Sequence, residues 1–404
     1  MLNVGIDWGL SGSYYVILSD DGEIVKDDPV GSSFEDIMDF ADMLLKMAPE
    51  TEQIRVGIDR KRCPLVSVLL SEELTVYALN PKSTDRARDI FQPAGEKDDG
   101  GDAFVHAQMV RMSHRRLSAL EKRDDLHVKL SCLLRTRRAQ VKMRSKLYQM
   151  LNSMLADWAR GLYRLCPALQ RTWVQDLLAE FPLDQDLATV HGNALNRFIR
   201  NHRMAPETER KIREFREQPY SEYDEQMAQF RRKQIRSHLD LIQTISEKVK
   251  EAESQIADLL EGSPEAAIFR TLPAQGDLTV AALVVLFGTD RTTDRNWRQY
   301  ASFAGVSPIT KESGNTRKVV MRKACDEMLR DALIDLAFAT YRKDDCWASD
   351  YYRRKRDEGH SHHSALRRLA HRWVKILYFM WKRQADYDED YHRRRRRERG
   401  GIAA

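Results

Sequence analysis

The first hundred residues alternate between two rhythms. "LNVGIDW" from Leu2 and "SYYVILSD" from Ser13 are β-rich apolar runs, and "SDDGEIV" is a turn leading into a third strand. "SSFEDIMDFADMLLKMAP" switches to helical spacing, opens on a serine cap and stops before Pro49. "QIRVGID" and "LTVYALNP" return to the strand pattern, separated by a short helical piece after Pro64. The predicted order is three meandering strands, then helix, strand, helix, strand, helix. That is an α/β domain on a mixed sheet.

From about residue 115 to 262 glycine almost vanishes and long helical patterns take over. Ile235, Ile242, Val249 and Ile256 share one heptad position, and His238, Ile245, Ala252 and Leu259 the other. β-branched residues at the first position favour a two-stranded coiled coil, against the plainer reading of one long helix packed on its own domain. "LHVKLSCLLRTRRAQVKMRSKLYQMLNSML" is its expected antiparallel or intermolecular partner. "EGSP" at Glu261–Pro264 breaks the pattern. Beyond it the helical pieces are shorter, with a turn predicted in "LPAQGDLTVAALVVLFG". A Pro-x-x-Gly turn ahead of a helix exposes backbone N–H groups to an anion. The reading divides the chain into 1–112, an α/β catalytic domain; 113–262, helical; 263–390, a small mostly α-helical domain; and 391–404, a basic disordered tail.

Charge sharpens this picture. The net charge is only +5, but "LLRTRRAQVKMRSK" and "YHRRRRRER" concentrate the cations. Local stripes matter more to a polyanion than the total does, although one Arg-rich helix face is as often merely solvated. Arg135, Arg137, Arg138, Lys142 and Arg144 in the first stripe, with Arg317, Lys318, Arg322 and Lys323 further on, are the candidate nucleic-acid contacts. The five cysteines are scattered without metal-ligand spacing, which fits reduced thiols in the cytoplasm. No signal-peptide pattern opens the chain, and the longest apolar run is about half of what a membrane span needs. A membrane role is not expected.

The acidic residues hold the candidate chemistry. Asp7 and Asp59 end two strands with the same pattern, apolar-Gly-Ile-Asp. Ligand sites in α/β sheets gather at strand ends, so both carboxylates can share one cleft. In "EKDDGGDAF", Asp99 and Asp102 are three apart and share a helical face; spacing alone allows Asp98 with Asp102 equally well. The two glycines weaken this helix by roughly 1 kcal/mol each, so a loose turn is expected here. Four converging carboxylates would suit Mg²⁺ or Mn²⁺. Singly, each aspartate reads more readily as a turn or cap residue. "GIDWGLSGSYY" also looks like the first phosphate loop of actin-like sugar kinases, but no second Asp-x-Gly-Gly loop or Gly-rich adenosine motif follows.

Taken together these residues resemble the DEDD-type insertion-sequence transposases, a group that includes Piv-like invertases and bridge-RNA-guided recombinases. The matching pieces are "GIDWG", "VGIDRK", "ALNPKSTDRARDIF", "GEKDDGGDA" with Lys97, "FRTLPAQGDLTVAALVVLFG" and "YASFAGVSPITKESGNTRKV". Two departures stand out: Asp98 replaces the usual Thr, and Asp59, followed by Arg60 and Lys61, replaces a Glu often followed by Thr-Gly. The resemblance implies a RuvC-like, ribonuclease-H-like domain whose Asp7, Asp59, Asp99 and Asp102 bind two metal ions. It assigns Ser313, which alone reads as a Ser-Gly turn beside a basic helix, as a nucleophile forming a 5′-phosphoserine link. It further implies donor and target double-stranded DNA, a structured bridge RNA, and a homo-oligomer (dimer or tetramer) working on the nucleoid. A RuvC-like nuclease cleaving with water, without a covalent link, is the competing reading.

Overall fold

The computed structural model describes residues 1–9, 12–91, 98–220, 222–273, 275–313, 316–344 and 346–391. Lys97 and most of the basic tail lie outside them. The chain divides into two compact units, Met1–Arg123 and Asp124–Ala404.

The first unit is built on a five-stranded mixed sheet of order β3-β2-β1-β4-β5. β1 (Leu2–Trp8), β2 (Ser13–Leu18) and β3 (Ile24–Val30) form the antiparallel meander the sequence predicts. β4 (Ile54–Ile58) runs parallel to β1, and β5 (Thr75–Ala78) parallel to β4. The parallel connections need crossovers. α1 (Phe34–Met47) makes the first, started by a capping box in which Ser33 and Asp36 satisfy each other's backbone N–H groups. α2 (Pro64–Ser71) makes the second, with proline in its first turn. Val4, Ile6, Ile54, Val56 and Ile58 pack with these two helices into the main core. α3 (Pro81–Phe91) and α4 (Asp99–Ser113) follow, and α4 covers the other face, where Ala103 and Ala107 meet Val16 and Leu18.

The second unit is mostly helical. α5 (Asp125–Trp158) and α11 (Glu225–Leu260) are its long struts. Between them come five short helices, α6 (Arg160–Leu165), α7 (Thr172–Glu180), α8 (Asp184–Thr189), α9 (Gly192–Asn201) and α10 (Pro206–Phe215). After them come α12 (Pro264–Arg270), α13 (Asp277–Phe287), α14 (Trp297–Phe303), a hairpin of β6 (Ile309–Ser313) and β7 (Thr316–Val320), then α15 (Glu327–Tyr341), α16 (Trp347–Asp357) and α17 (His362–Arg383).

Ile235, Ile242, Val249 and Ile256 are all buried, as the heptads predict. Their partner is α5 of the same chain. Ile235 and Ile242 share a core with Leu151 and Leu155 near the end of α5, and Ile256 and Leu260 share one with Leu130 and Leu134 near its start. The two helices are therefore antiparallel. With α5 on the seam, the heptads carry no argument for a dimer.

The hairpin departs from the sequence reading, which placed a basic helix after Ser313. "ITKES" and "TRKVV" pair in register, Ile309 with Val320 and Ser313 with Thr316. Charged residues in both strands hide the β pattern that Ile309, Thr310, Thr316, Val319 and Val320 carry.

Candidate active site

The repeated pattern apolar-Gly-Ile-Asp has a structural cause. In the parallel register Gly5 pairs with Gly57 and Ile6 with Ile58, so Asp7 and Asp59 come next on neighbouring strands. Both glycines lie under α4. A Cβ on Gly5 would fall 2.0 Å from the Ala103 carbonyl oxygen and 2.2 Å from the Ala107 nitrogen. A Cβ on Gly57 would fall 2.4 Å from a Val110 methyl and 3.1 Å from the His106 carbonyl oxygen. The helix backbone therefore rests directly on the sheet. Side chains two residues apart on a strand share a face, so Asp7 and Asp59 stand on the α4 side.

The direction of α4 completes the arrangement. Near its C-terminal end, Arg111 donates to the Asp20 carbonyl at 3.0 Å, in the β2–β3 turn beside the start of β1. At its other end Gly100 approaches the ring of Tyr14, and Tyr14 pairs with Asp7. α4 thus runs against β1 and brings its first turn, with Asp99 and Asp102, to the strand ends that carry Asp7 and Asp59.

The carboxylates differ in their surroundings. Asp7, Asp59 and Asp102 are half-buried and Asp99 is exposed. Asp59 Oδ1 is buried with no hydrogen-bond partner among the described residues. A buried acceptor left in this state is costly, and a cation or a donor arriving there would relieve it. Asp102 accepts from Arg88 of α3, 2.5 Å from Nη2 and 2.8 Å from Nε. That contact raises the Arg88 pKa above its usual value. Asp98 caps the helix, accepting from Gly101 N at 2.5 Å. The expected loose turn is instead a capped first turn, because the cap offsets the two glycines. It also separates Asp98 from Asp99, which spacing alone could not do. Threonine, the family's usual residue in place of Asp98, is itself an N-cap former.

His106 was not foreseen. It lies four residues after Asp102 and seven after Asp99, on one stripe of α4, and that spacing was its available signal. It is buried, with Nδ1 2.8 Å from the Ile6 carbonyl. A carbonyl only accepts, so Nδ1 carries the hydrogen. Burial pushes its pKa down, while the Ile6 hydrogen bond and the charges of Asp59 and Asp102 pull it up. Both aspartates are therefore close enough to act on the same ring.

Among the described residues, no three His, Cys, Asp or Glu side chains stand close enough together to hold a metal ion in this arrangement. The donor set nonetheless fits a hard cation in kind. It is all oxygen, it lies at strand ends, and one of its buried oxygens is unpartnered. Arg88 supplies the positive charge beside Asp102 here.

In the second unit, Ser313 is the last residue of β6, and Arg317 and Lys318 lie on β7. Arg322 is half-buried with an unpartnered Nε, and Lys323 is exposed. The stripe on α5 is largely committed internally. Arg135 pairs with Asp326 at 2.5 Å, Arg137 with Glu253 at 2.7 Å and Arg138 with Asp331 at 2.6 Å. These pairs tie α5 to α11 and α15. Lys142 is exposed and Arg144 half-exposed.

Comparison with known proteins decides the family. The DEDD transposase profile of the IS110 type matches residues 4–158, which hold all four aspartates. The profile "Transposase IS116/IS110/IS902 family" matches residues 266–353, which hold Ser313. The chain belongs to the IS110 family of DEDD transposases. This transposase is similar along most of its length to the mini-circle protein of IS117 from Streptomyces coelicolor, at 24% identity over 95% of both chains. It is 25% identical to the insertion element IS116 44.8 kDa protein of Streptomyces clavuligerus, over 93% of this chain and 94% of that one. A 43.6 kDa protein of insertion element IS110 from Streptomyces coelicolor is 26% identical over 75% of each. Membership implies a DNA substrate and an enzyme that cuts and recombines it. No helix among the described residues is long and apolar enough to cross a membrane.

Proposed function

We propose that this transposase cuts and rejoins DNA strands, with the aspartates at the α4 end of its sheet as metal ligands and Ser313 as nucleophile. The observation that carries the reading is the glycine cradle. It presses α4 onto β1 and β4 and so gathers Asp7, Asp59, Asp99 and Asp102 at one edge. The order β3-β2-β1-β4-β5 supports reading this unit as ribonuclease-H-like. The four aspartates would hold one or two Mg²⁺ or Mn²⁺ ions. Such ions, when bound, offset the charge that builds on a phosphodiester under attack.

The chain's own residues do the rest. Ser313 Oγ attacks the phosphorus, a Ser–O–P bond forms, and the bond to the 3′ oxygen breaks. The serine proton is lost and the 3′ oxygen gains one, so a 5′-phosphoserine and a free 3′ hydroxyl result. Attack by another strand's 3′ hydroxyl reverses the step and rejoins DNA without external energy. Arg322 and Lys323 follow the hairpin closely and are placed in sequence to hold phosphates. The family resemblance adds an oligomer and a structured bridge RNA; for the RNA, Lys142 and Arg144 on α5 are the contacts of their stripe that form no ion pair among the described residues.

The test uses the full chain with DNA from the ends of its own element, with Mg²⁺. A protein–DNA adduct that resists denaturation is expected, and it should be absent in Ser313→Ala. Cleavage that leaves no adduct in the wild type would overturn the serine step and favour a nuclease using water.

A further inference from the structure

Among the described residues, α17 carries a run of positive charge that the proposed site leaves unexplained. Its 22 residues contain no Asp or Glu. Arg368, Arg372, Lys375, Phe379 and Arg383 recur at spacings of three and four, so they form one row along the helix. The row lies opposite the side that buries Leu366, Leu369, Trp373, Leu377 and Met380. Arg368, Arg372 and Arg383 are exposed. Among the described residues the four cations of this row form no ion pair with a carboxylate, in contrast to Arg135, Arg137 and Arg138 on α5.

Aromatic rings hold part of the row in place. Trp297 of α14 takes Lys375 at 5.4 Å and Arg298 at 5.2 Å from its ring centre, and Arg383 sits 5.4 Å from that of Phe379. Cations held over rings are already ordered, so less side-chain entropy is lost when a partner binds. Leaving so many like charges adjacent costs stability unless a polyanion is the partner.

We propose that α17 lays this row along the phosphate backbone of double-stranded DNA. From Arg368 to Arg383 the helix extends about 22 Å, a length of duplex axis that carries roughly six phosphates of one strand. The rings themselves argue against a single strand. Single-strand binders present aromatic faces for bases to stack on, whereas Trp297 and Phe379 already carry cations. The proposal rests on the reading of this chain as acting on DNA, and it adds a surface which that reading did not include.

The experiment measures binding of the full chain to a labelled DNA duplex by anisotropy across a salt series, with chelator present so that no cleavage occurs. The triple variant Arg368→Ala, Arg372→Ala, Lys375→Ala should lower the slope of log affinity against log salt by about 2 to 3. Arg372→Ala alone should lower it by about 1 and guards against a folding defect in the triple. A control removing equal charge from exposed lysines elsewhere, Lys46→Ala, Lys233→Ala, Lys250→Ala, should leave the slope unchanged. Equal slopes in the row triple and the wild type, or equal losses in the row and control triples, would overturn the proposal. So would tighter binding of an RNA duplex of the same sequence, with the loss confined to RNA. Binding that falls as expected while the aspartate variants still cleave would instead overturn the active-site reading alone.

Discussion

The sheet edge with the aspartates and the hairpin with Ser313 are positioned by opposite means. Asp7 and Asp59 follow fully buried strand residues, Ile6 and Ile58, in a sheet covered on both faces. Two glycines fix the height of the helix above them. Ser313 ends a two-stranded ribbon whose described residues do not enter the hydrophobic cores; Val319 is 58% exposed and Ile309 only half-buried. Isolated two-stranded ribbons are marginally stable. The difference teaches that the carboxylates are held by the core itself, while Ser313 sits on a ribbon whose described side chains stand outside it. Changes at the edge should therefore mix activity with stability, and changes at the ribbon should separate them.

The largest effects should come from the carboxylates. Asp7→Ala and Asp102→Ala should abolish DNA strand cleavage and also shift the melting temperature while the protein still folds, checked by gel assay and thermal circular dichroism. Next comes Ser313→Ala, which should remove the covalent adduct yet leave the melting temperature where it was; a large drop would place the hairpin in the core after all. Third is the cradle. Gly5→Ala forces the α4 backbone off the sheet and should cost about 1–3 kcal/mol or more in denaturant unfolding. Gly57→Ala should cost less, because its nearest clash is a Val110 methyl that can turn away. Equal costs would mean the helix is not seated on Gly5. The smallest effect belongs to Asp98. Asp98→Ala should cost about 1 kcal/mol by removing the cap, and Asp98→Thr only a fraction of that.

Much of this was legible in the chain. The succession of strands and helices in the first unit could be read because each strand is short, apolar and bounded by a turn signal or a capped helix. The shared Gly-Ile-Asp ending pointed at the site, though only the register shows why glycine precedes each acid. Three features were hidden. Spacing alone could not separate Asp98 from Asp99; the family resemblance selected Asp99, and the cap geometry shows what Asp98 does instead. The hairpin was masked by Lys311, Glu312, Arg317 and Lys318. The commitment of the α5 arginines could not be seen, because their partners lie 116 to 193 residues away in sequence. Local pattern reveals that a helix is basic; only the fold reveals which of its charges remain free.

The central claim is that the four aspartates form one metal-dependent site. Mn²⁺ binding to the full chain, followed by electron paramagnetic resonance, tests it most directly in wild type and Asp59→Ala. Saturable binding in the wild type and its loss in Asp59→Ala is the predicted result. Equal binding by both proteins would contradict the account.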